Sequence, residues 1–210
     1  MEKIDLQKMC DEYISSHCSR GERPRLLLHA CCAPCSSYVT EYLYDFFDIT
    51  VYFCNPNISP REEYDLRLSE LRRFLIQRYG GSVPVIAPEW GYDEFRSLTE
   101  DYSHLPEGGA RCLLCYRLRL EKTARAAVQL GFPIFCSTLS VSPYKNAGAL
   151  FDIGSQLARE YGIEYLPSDF KKKDGYKRSV ELSREYGLYR QNYCGCSYSA
   201  EEAERRKANL

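Results

Sequence analysis

Residues 25–35, Arg25-Leu26-Leu27-Leu28-His29-Ala30-Cys31-Cys32-Ala33-Pro34-Cys35, decide how the rest of the chain is read. Arg25–Ala30 (RLLLHA) is a short, nearly continuous apolar run, the pattern of a strand covered on both faces. Ser36–Phe46 leaves room for a helix behind it, and Ile49–Cys54 (ITVYFC), β-branched and aromatic, reads as a second strand. A strand, helix, strand order of these lengths makes a right-handed crossover between parallel neighbours.

The same alternation continues outward. Ser59-Pro60-Arg61-Glu62 has the form of a capping box with Pro at the first helical position, followed by Tyr64, Leu68, Leu71 and Leu75 on one face and by Gly80 at the end. Val83–Ala87 is then a third strand, Cys112–Leu130 a helix ending at Gly131, Ile134–Ser137 a fourth strand, Asn146–Tyr161 a helix ending at Gly162, and Ile163–Leu166 a fifth strand. This predicts an α/β fold: a parallel sheet in an α/β/α sandwich, with the segments after the strand ends lining the site. Residues 1–23 read as a polar helical arm, 24–170 as the α/β domain, and 171–210 as a helical appendage carrying the loop Gly187–Ser197 and a last helix opened by Ser199-Ala200-Glu201-Glu202.

At 210 residues and 44% hydrophobic, the chain can bury the core of one ordinary domain plus a short appendage. It holds no apolar run near the roughly 18 residues that a membrane span needs, and its first 20 residues lack a signal-peptide pattern. The expectation is a cytoplasmic protein with no membrane partner. Eleven cysteines are many for a cytosolic chain, yet the pattern is too long and regular for a disulfide-stapled scaffold, so metal binding or redox chemistry is expected. A net charge of −1 gives no global attraction to nucleic acid; any RNA contact has to be local.

Seven of the eleven cysteines fall in three clusters: Cys31, Cys32 and Cys35; Cys112 and Cys115; Cys194 and Cys196. Cys112 and Cys115 lie one helical turn apart, so their sulfurs share one side, and a helix N-terminus beside Arg111 favours thiolates. The spacing alone leaves a zinc knuckle, an iron–sulfur centre and a redox dithiol open. Cys31 and Cys32 meet one centre only if the loop turns sharply before Pro34, which a multi-iron cluster tolerates better than tetrahedral zinc. The loop contains no glycine, which disfavours a phosphate cradle and ATP use. Cys194-Gly195-Cys196 permits a small-ring disulfide or two metal ligands.

Cys54 and Cys136 read as core residues, Cys10 and Cys18 as incidental, and His29 as a structural histidine more than a metal ligand, its place beside Cys31 keeping the second reading open. Tyr189, Tyr193 and Tyr198 flank the last cysteine pair, where they stack on bases or fill the core. The basic run Lys171, Lys172, Lys173, Lys177 and Arg178 tracks a phosphate backbone or forms a solvated face; its nearness to the last cysteine pair favours RNA.

Five strings in order, HACCAPCSSYV, FCNPNISPREEYDLR, RCLLCYRLRLEKTA, CSTLSVSPYKN and QNYCGC, resemble the QueH type of epoxyqueuosine reductase from about residue 24 to 198. The resemblance implies the fold of the adenine-nucleotide α-hydrolase (HUP) superfamily, which makes 24–170 an iron–sulfur domain. It also implies reduction of the epoxide of epoxyqueuosine, at the tRNA wobble position, to the alkene of queuosine without cobalamin. Carried onto this chain, it implies a [4Fe–4S] cluster on Cys31, Cys32, Cys112 and Cys115, a redox-active pair in Cys194 and Cys196, and one additional iron for which Cys35 is a ligand. The partners implied are the epoxyqueuosine-bearing tRNA and an electron donor that the sequence does not identify; Tyr193 and the basic run are the expected RNA contacts. Two rivals stand beside it. A PP-loop-like tRNA-thiolating enzyme needs an SGGxDS-like loop that the chain lacks, and a non-catalytic, zinc-stabilised RNA-binding module is not excluded by spacing alone.

Overall fold

The computed structural model describes residues 4–18 and 22–208. Its centre is β1 (Arg25–His29), with β2 (Asp48–Tyr52) and β3 (Val85–Ile86) on one side and β4 (Ile134–Ser137) and β5 (Glu164–Tyr165) on the other. All five strands are parallel, in the order β3-β2-β1-β4-β5. The run that suggested a two-sided strand is buried from Leu26 to Ala30, each at 0% exposure, with only Arg25 at its start exposed.

The period-2 geometry of a strand sends alternate side chains to opposite faces. Leu26 and Leu28 join Ile49, Val51, Ile134 and Cys136 in one core. Leu27 joins Tyr52 and Phe135 in the other. The first core is covered by α1 (Leu6–His17), α2 (Ala33–Leu43), α3 (Arg61–Tyr79) and α7 (Gly175–Glu185), the second by α5 (Ala110–Gln129) and α6 (Ala147–Tyr161). The α/β/α sandwich read from the sequence is the fold. None of the described helices is long and apolar enough to cross a membrane.

Several local expectations shift. Pro60 is the N-cap of α3 rather than its first residue, and Ser59 makes no side-chain cap. Its backbone N–H instead donates to the carbonyl of Gly195 at 2.9 Å, tying the start of α3 to the last cysteine loop. The outer strands β3 and β5 are two residues long where five and four were expected, and α5 starts at Ala110, which places Cys112 inside its first turn. Three elements were not anticipated: α4 (Tyr92–Thr99) and two 3-10 turns, at Glu100–Tyr102 and Thr138–Val141.

Beyond residue 170, α7 lies on α2, and its Leu182, with Leu188 just after it, enters the first core. A β-carbon on Gly175 would sit 2.3 Å from the Tyr38 ring, so only glycine lets the two helices approach this closely. The final helix α8 (Ser197–Ala208) begins directly after Cys196.

Candidate active site

The chain runs from β1 outward to β3, then returns to β4 on the other flank of β1. At such a switch point the loops leaving neighbouring strands part in opposite directions and open a crevice. The loop after β1 is the cysteine loop, and the one after β4 is the turn Thr138–Val141. Cys31 Sγ spans the crevice, 3.8 Å from Thr138 Oγ1.

The sharp turn that two adjacent cysteines require is present. Cys32 is fully extended (φ −171°, ψ 166°) and caps α2, which holds Pro34 in its first turn. The Sγ atoms of Cys31 and Cys32 come within 3.7 Å, and those of Cys31, Cys32 and Cys35 all lie within 4.8 Å of one another. Cys35 thus belongs with the adjacent pair, one helical turn past Cys32 and on the same side. Hydrogen bonds from the thiols of Cys32 and Cys35, together with the Arg119 guanidinium, hold Cys31 well below the ordinary thiol range. Their bonds to Cys31 push Cys32 up to about 12 and Cys35 well above its ordinary value.

His29 is a structural residue, as the sequence suggested. Its Nδ1 lies 2.9 Å from Ser137 Oγ and its Nε2 3.1 Å from the Cys54 carbonyl. Burial, reinforced by Arg119, pulls its pKa down to about 3, which keeps the ring neutral. Cys54 and Cys136 are buried in the two cores.

On α5, Cys112, Cys115 and Arg119 fall at i, i+3 and i+7 and form one stripe. Cys112 Sγ accepts the Gly108 N–H at 3.2 Å, and burial pushes Cys115 up to about 12. The last cysteine loop is brought against this stripe by Arg67, which donates to the Cys194 carbonyl at 3.0 Å and lies over the Tyr193 ring at 5.2 Å. Gly195, at φ +120°, has Arg67 Nη1 2.8 Å from where a β-carbon would stand. Cys196 Sγ is 3.4 Å from Ser199 Oγ, while Cys194 Sγ accepts a hydrogen bond from Lys145 Nζ at 3.3 Å. Lys145 also pairs with Glu107 at 2.8 Å. All eleven cysteines are free thiols.

Two cavities adjoin these groups. The larger, about 360 Å³, is lined by Cys31, Cys32, Cys35 and Cys194 with Arg67 and Arg119. A tight one of about 10 Å³ is lined by Cys112, Cys115, Cys194 and Cys196. Cys194 and Lys145 face both. Tyr193 lines the larger cavity, whose rim also carries Tyr144, 77% exposed, with Tyr176, Arg190 and Arg206. None of the basic run lines either cavity, although Tyr176 and Ser179 beside it line the larger one. Lys171 pairs with Asp169 and Lys173 with Asp11, each at 2.5 Å, and Arg178 with Glu41 at 2.8 Å, while Lys172 and Lys177 are exposed. Tyr189 donates to Glu63, and Tyr198 lies beneath the Arg111 guanidinium at 4.7 Å.

Arg67, Arg119 and Lys145 were not anticipated as site residues. Arg119 had a signal: it continues the stripe begun by Cys112 and Cys115. Arg67 and Lys145 fall within the strings FCNPNISPREEYDLR and CSTLSVSPYKN, but nothing in their spacing foretells that tertiary packing brings them to Cys194.

The fold and the site define a class: a doubly wound α/β protein whose strand-end crevice holds thiols and buried cations in place of a phosphate cradle. A family model described as Epoxyqueuosine reductase QueH matches residues 26–202. Among curated relatives, the Epoxyqueuosine reductase QueH of Streptococcus pyogenes serotype M1 is 43% identical over 95% of this chain and 79% of its own length. Those of Staphylococcus epidermidis (42%, covering 95% and 86%) and Thermotoga maritima (35%, covering 88% and 95%) agree. This chain belongs to the epoxyqueuosine reductase QueH family, and it is an oxidoreductase.

Proposed function

We propose that this chain reduces the epoxide of epoxyqueuosine at the wobble position of tRNA to the alkene of queuosine, by two electrons and two protons with loss of water, using an iron–sulfur centre and no cobalamin. The observation that carries this reading is the gathering of seven thiols, from three distant parts of the sequence, around two adjoining cavities at the switch point.

The donor set suits an iron–sulfur group: soft sulfur ligands only, several of them buried, with basic side chains packed around them. Cys31, Cys32, Cys112 and Cys115 would hold a [4Fe–4S] cluster, Cys35 would serve an additional iron beside it, and the group would supply electrons one at a time. Cys194 and Cys196 are the redox-active pair. The geometry that favours this role is the position of Cys194, which faces both cavities and has Lys145 Nζ placed to hold or return a proton at its sulfur.

A cavity of about 360 Å³ is the size for one nucleoside rather than a stretch of RNA. The wobble nucleotide therefore enters alone, turned out of its stack. Tyr193 lies along its path, Tyr144 and Tyr176 at the rim stack on flanking bases, and Arg190 and Arg206 meet phosphates. Of the basic run, Lys172 and Lys177 are exposed to extend that contact, whereas Lys171, Lys173 and Arg178 are engaged by acidic partners. The donor of electrons is external, and the compartment is the cytoplasm, where the tRNA substrate is found.

The test is metal and sulfide content of anaerobically purified protein, followed by turnover of epoxyqueuosine-bearing tRNA. About four or five irons per chain with acid-labile sulfide, and queuosine as product, are expected. Stoichiometric zinc in a colourless, inactive sample overturns the reading in favour of the binding module. Cys194→Ser is expected to abolish turnover while keeping most of the iron–sulfur absorbance, and Cys112→Ser to lose that absorbance. Loss of the absorbance in Cys194→Ser as well would refute the division of labour between the two pairs.

A further inference from the structure

Four cationic side chains are buried around the thiols, and three have a carboxylate of their own. Arg67 pairs with Glu63 at 2.7 Å, Arg111 with Glu202 at 3.0 Å and Lys145 with Glu107 at 2.8 Å. The fourth, Arg119, is 1% exposed, and no carboxylate among the described residues lies within ion-pairing distance of it. Its hydrogen bonds go to neutral groups: Nη2 donates to Asn55 Oδ1 at 2.5 Å, and Nε lies 3.3 Å from His29 Nε2. Asn55 is fixed in turn by donating to the Ala30 carbonyl at 2.8 Å. A guanidinium keeps its proton in proteins, so Arg119 cannot escape its burial by neutralising. The acidic groups that act on it are Cys115, Cys31 and Cys194, one from each of the three cysteine clusters.

We propose that Arg119 is the fixed counter-ion of the redox group gathered by these thiols and that it favours the group's reduced state. This rests on the iron–sulfur reading above. Reduction adds one negative charge at the centre while the guanidinium stays in place, so the cation attracts the reduced form more strongly than the oxidised form. Burial strengthens the effect, and Arg119 differs from the three neighbouring cations in having no carboxylate of its own to offset its charge. Arg119 is a positioning residue in this account; electrons do not pass through it. Asn55 and His29 orient the guanidinium without cancelling its charge.

The experiment is anaerobic potentiometric titration of the metal-loaded full chain, followed by absorbance and electron paramagnetic resonance. Arg119→Gln is expected to lower the reduced-to-oxidised ratio at a given potential by about tenfold, 59 mV for a one-electron couple. Arg117→Gln removes an exposed guanidinium two positions away on the same helix, paired with Glu160, and is expected to leave the ratio unchanged. Arg119→Lys keeps the charge and is expected to restore most of the wild-type ratio. A loaded Arg119→Gln chain with an unshifted ratio overturns the proposal. If Arg119→Gln does not yield a folded chain, Arg119→Lys decides: a near wild-type potential upholds the role of charge, and the same failure assigns Arg119 to structure alone. A wild-type chain with no redox-active metal overturns the iron–sulfur reading itself, and is recognised before any variant is made.

Discussion

His29 and Cys31 are two residues apart and are driven in opposite electrostatic directions. The imidazole is kept neutral by burial, while the thiol is drawn toward its anion by its two neighbours. The histidine has a measurable consequence. Unfolded, it takes up a proton near its ordinary value of about 6.5, whereas folded it does so only near pH 3. Between those values the unfolded state binds more protons, so stability falls as the pH drops through the window, by at most about 1.4 kcal/mol per unit. Urea midpoints of the metal-free chain between pH 6.5 and 5 are expected to show this slope, and His29→Gln to flatten it. Asp11 and Glu70, whose pKa values are lowered in the fold, add their own loss only at more acid pH.

At the level of elements, α6 and β5 meet through Gly154, where a β-carbon would lie 2.5 Å from the buried Tyr165 ring. Gly154→Ala gains up to about 1 kcal/mol of helix propensity but forces overpacking that costs about 1–3 kcal/mol. The second effect is expected to win, and calorimetry should show a melting temperature lower by a few degrees. The long elements were legible in the sequence because each carries a full period and a stop signal, as α3 does with Gly80 and α6 with Gly162. The short ones were not. A helix of eight residues such as α4 offers little more than two turns of pattern, and the 3-10 turn after β4 exists because Ser137 caps it against the crevice. The site was legible in its thiols, which declare themselves by type and spacing. Its cations were not, because Arg67 and Lys145 look like ordinary surface charges until the fold buries them. The capping box at Ser59 misread a local motif whose backbone is used instead by Gly195, over a hundred residues away.

For the whole molecule, the proposed function divides the larger cavity between a rim that would meet the RNA loop and an interior that would take the base. Tyr144→Ala is expected to raise KM for tRNA by about 5- to 150-fold, the range given by about 1–3 kcal/mol of stacking, with little change in kcat. Steady-state kinetics with intact tRNA check this; an unchanged KM would remove Tyr144 from the interface. The two cavities also impose an order of events on biosynthesis. Their cysteine walls begin at Cys31 and end at Cys196, while Gly195, which docks on α3, and Ser199 of α8 hold the last pair in place. Domains emerge from the ribosome N-terminus first. The nascent chain thus exposes Cys31, Cys32 and Cys35 long before Cys194 and Cys196 exist, so the cysteine walls of both cavities are complete only once the last loop has been made and has docked on α3.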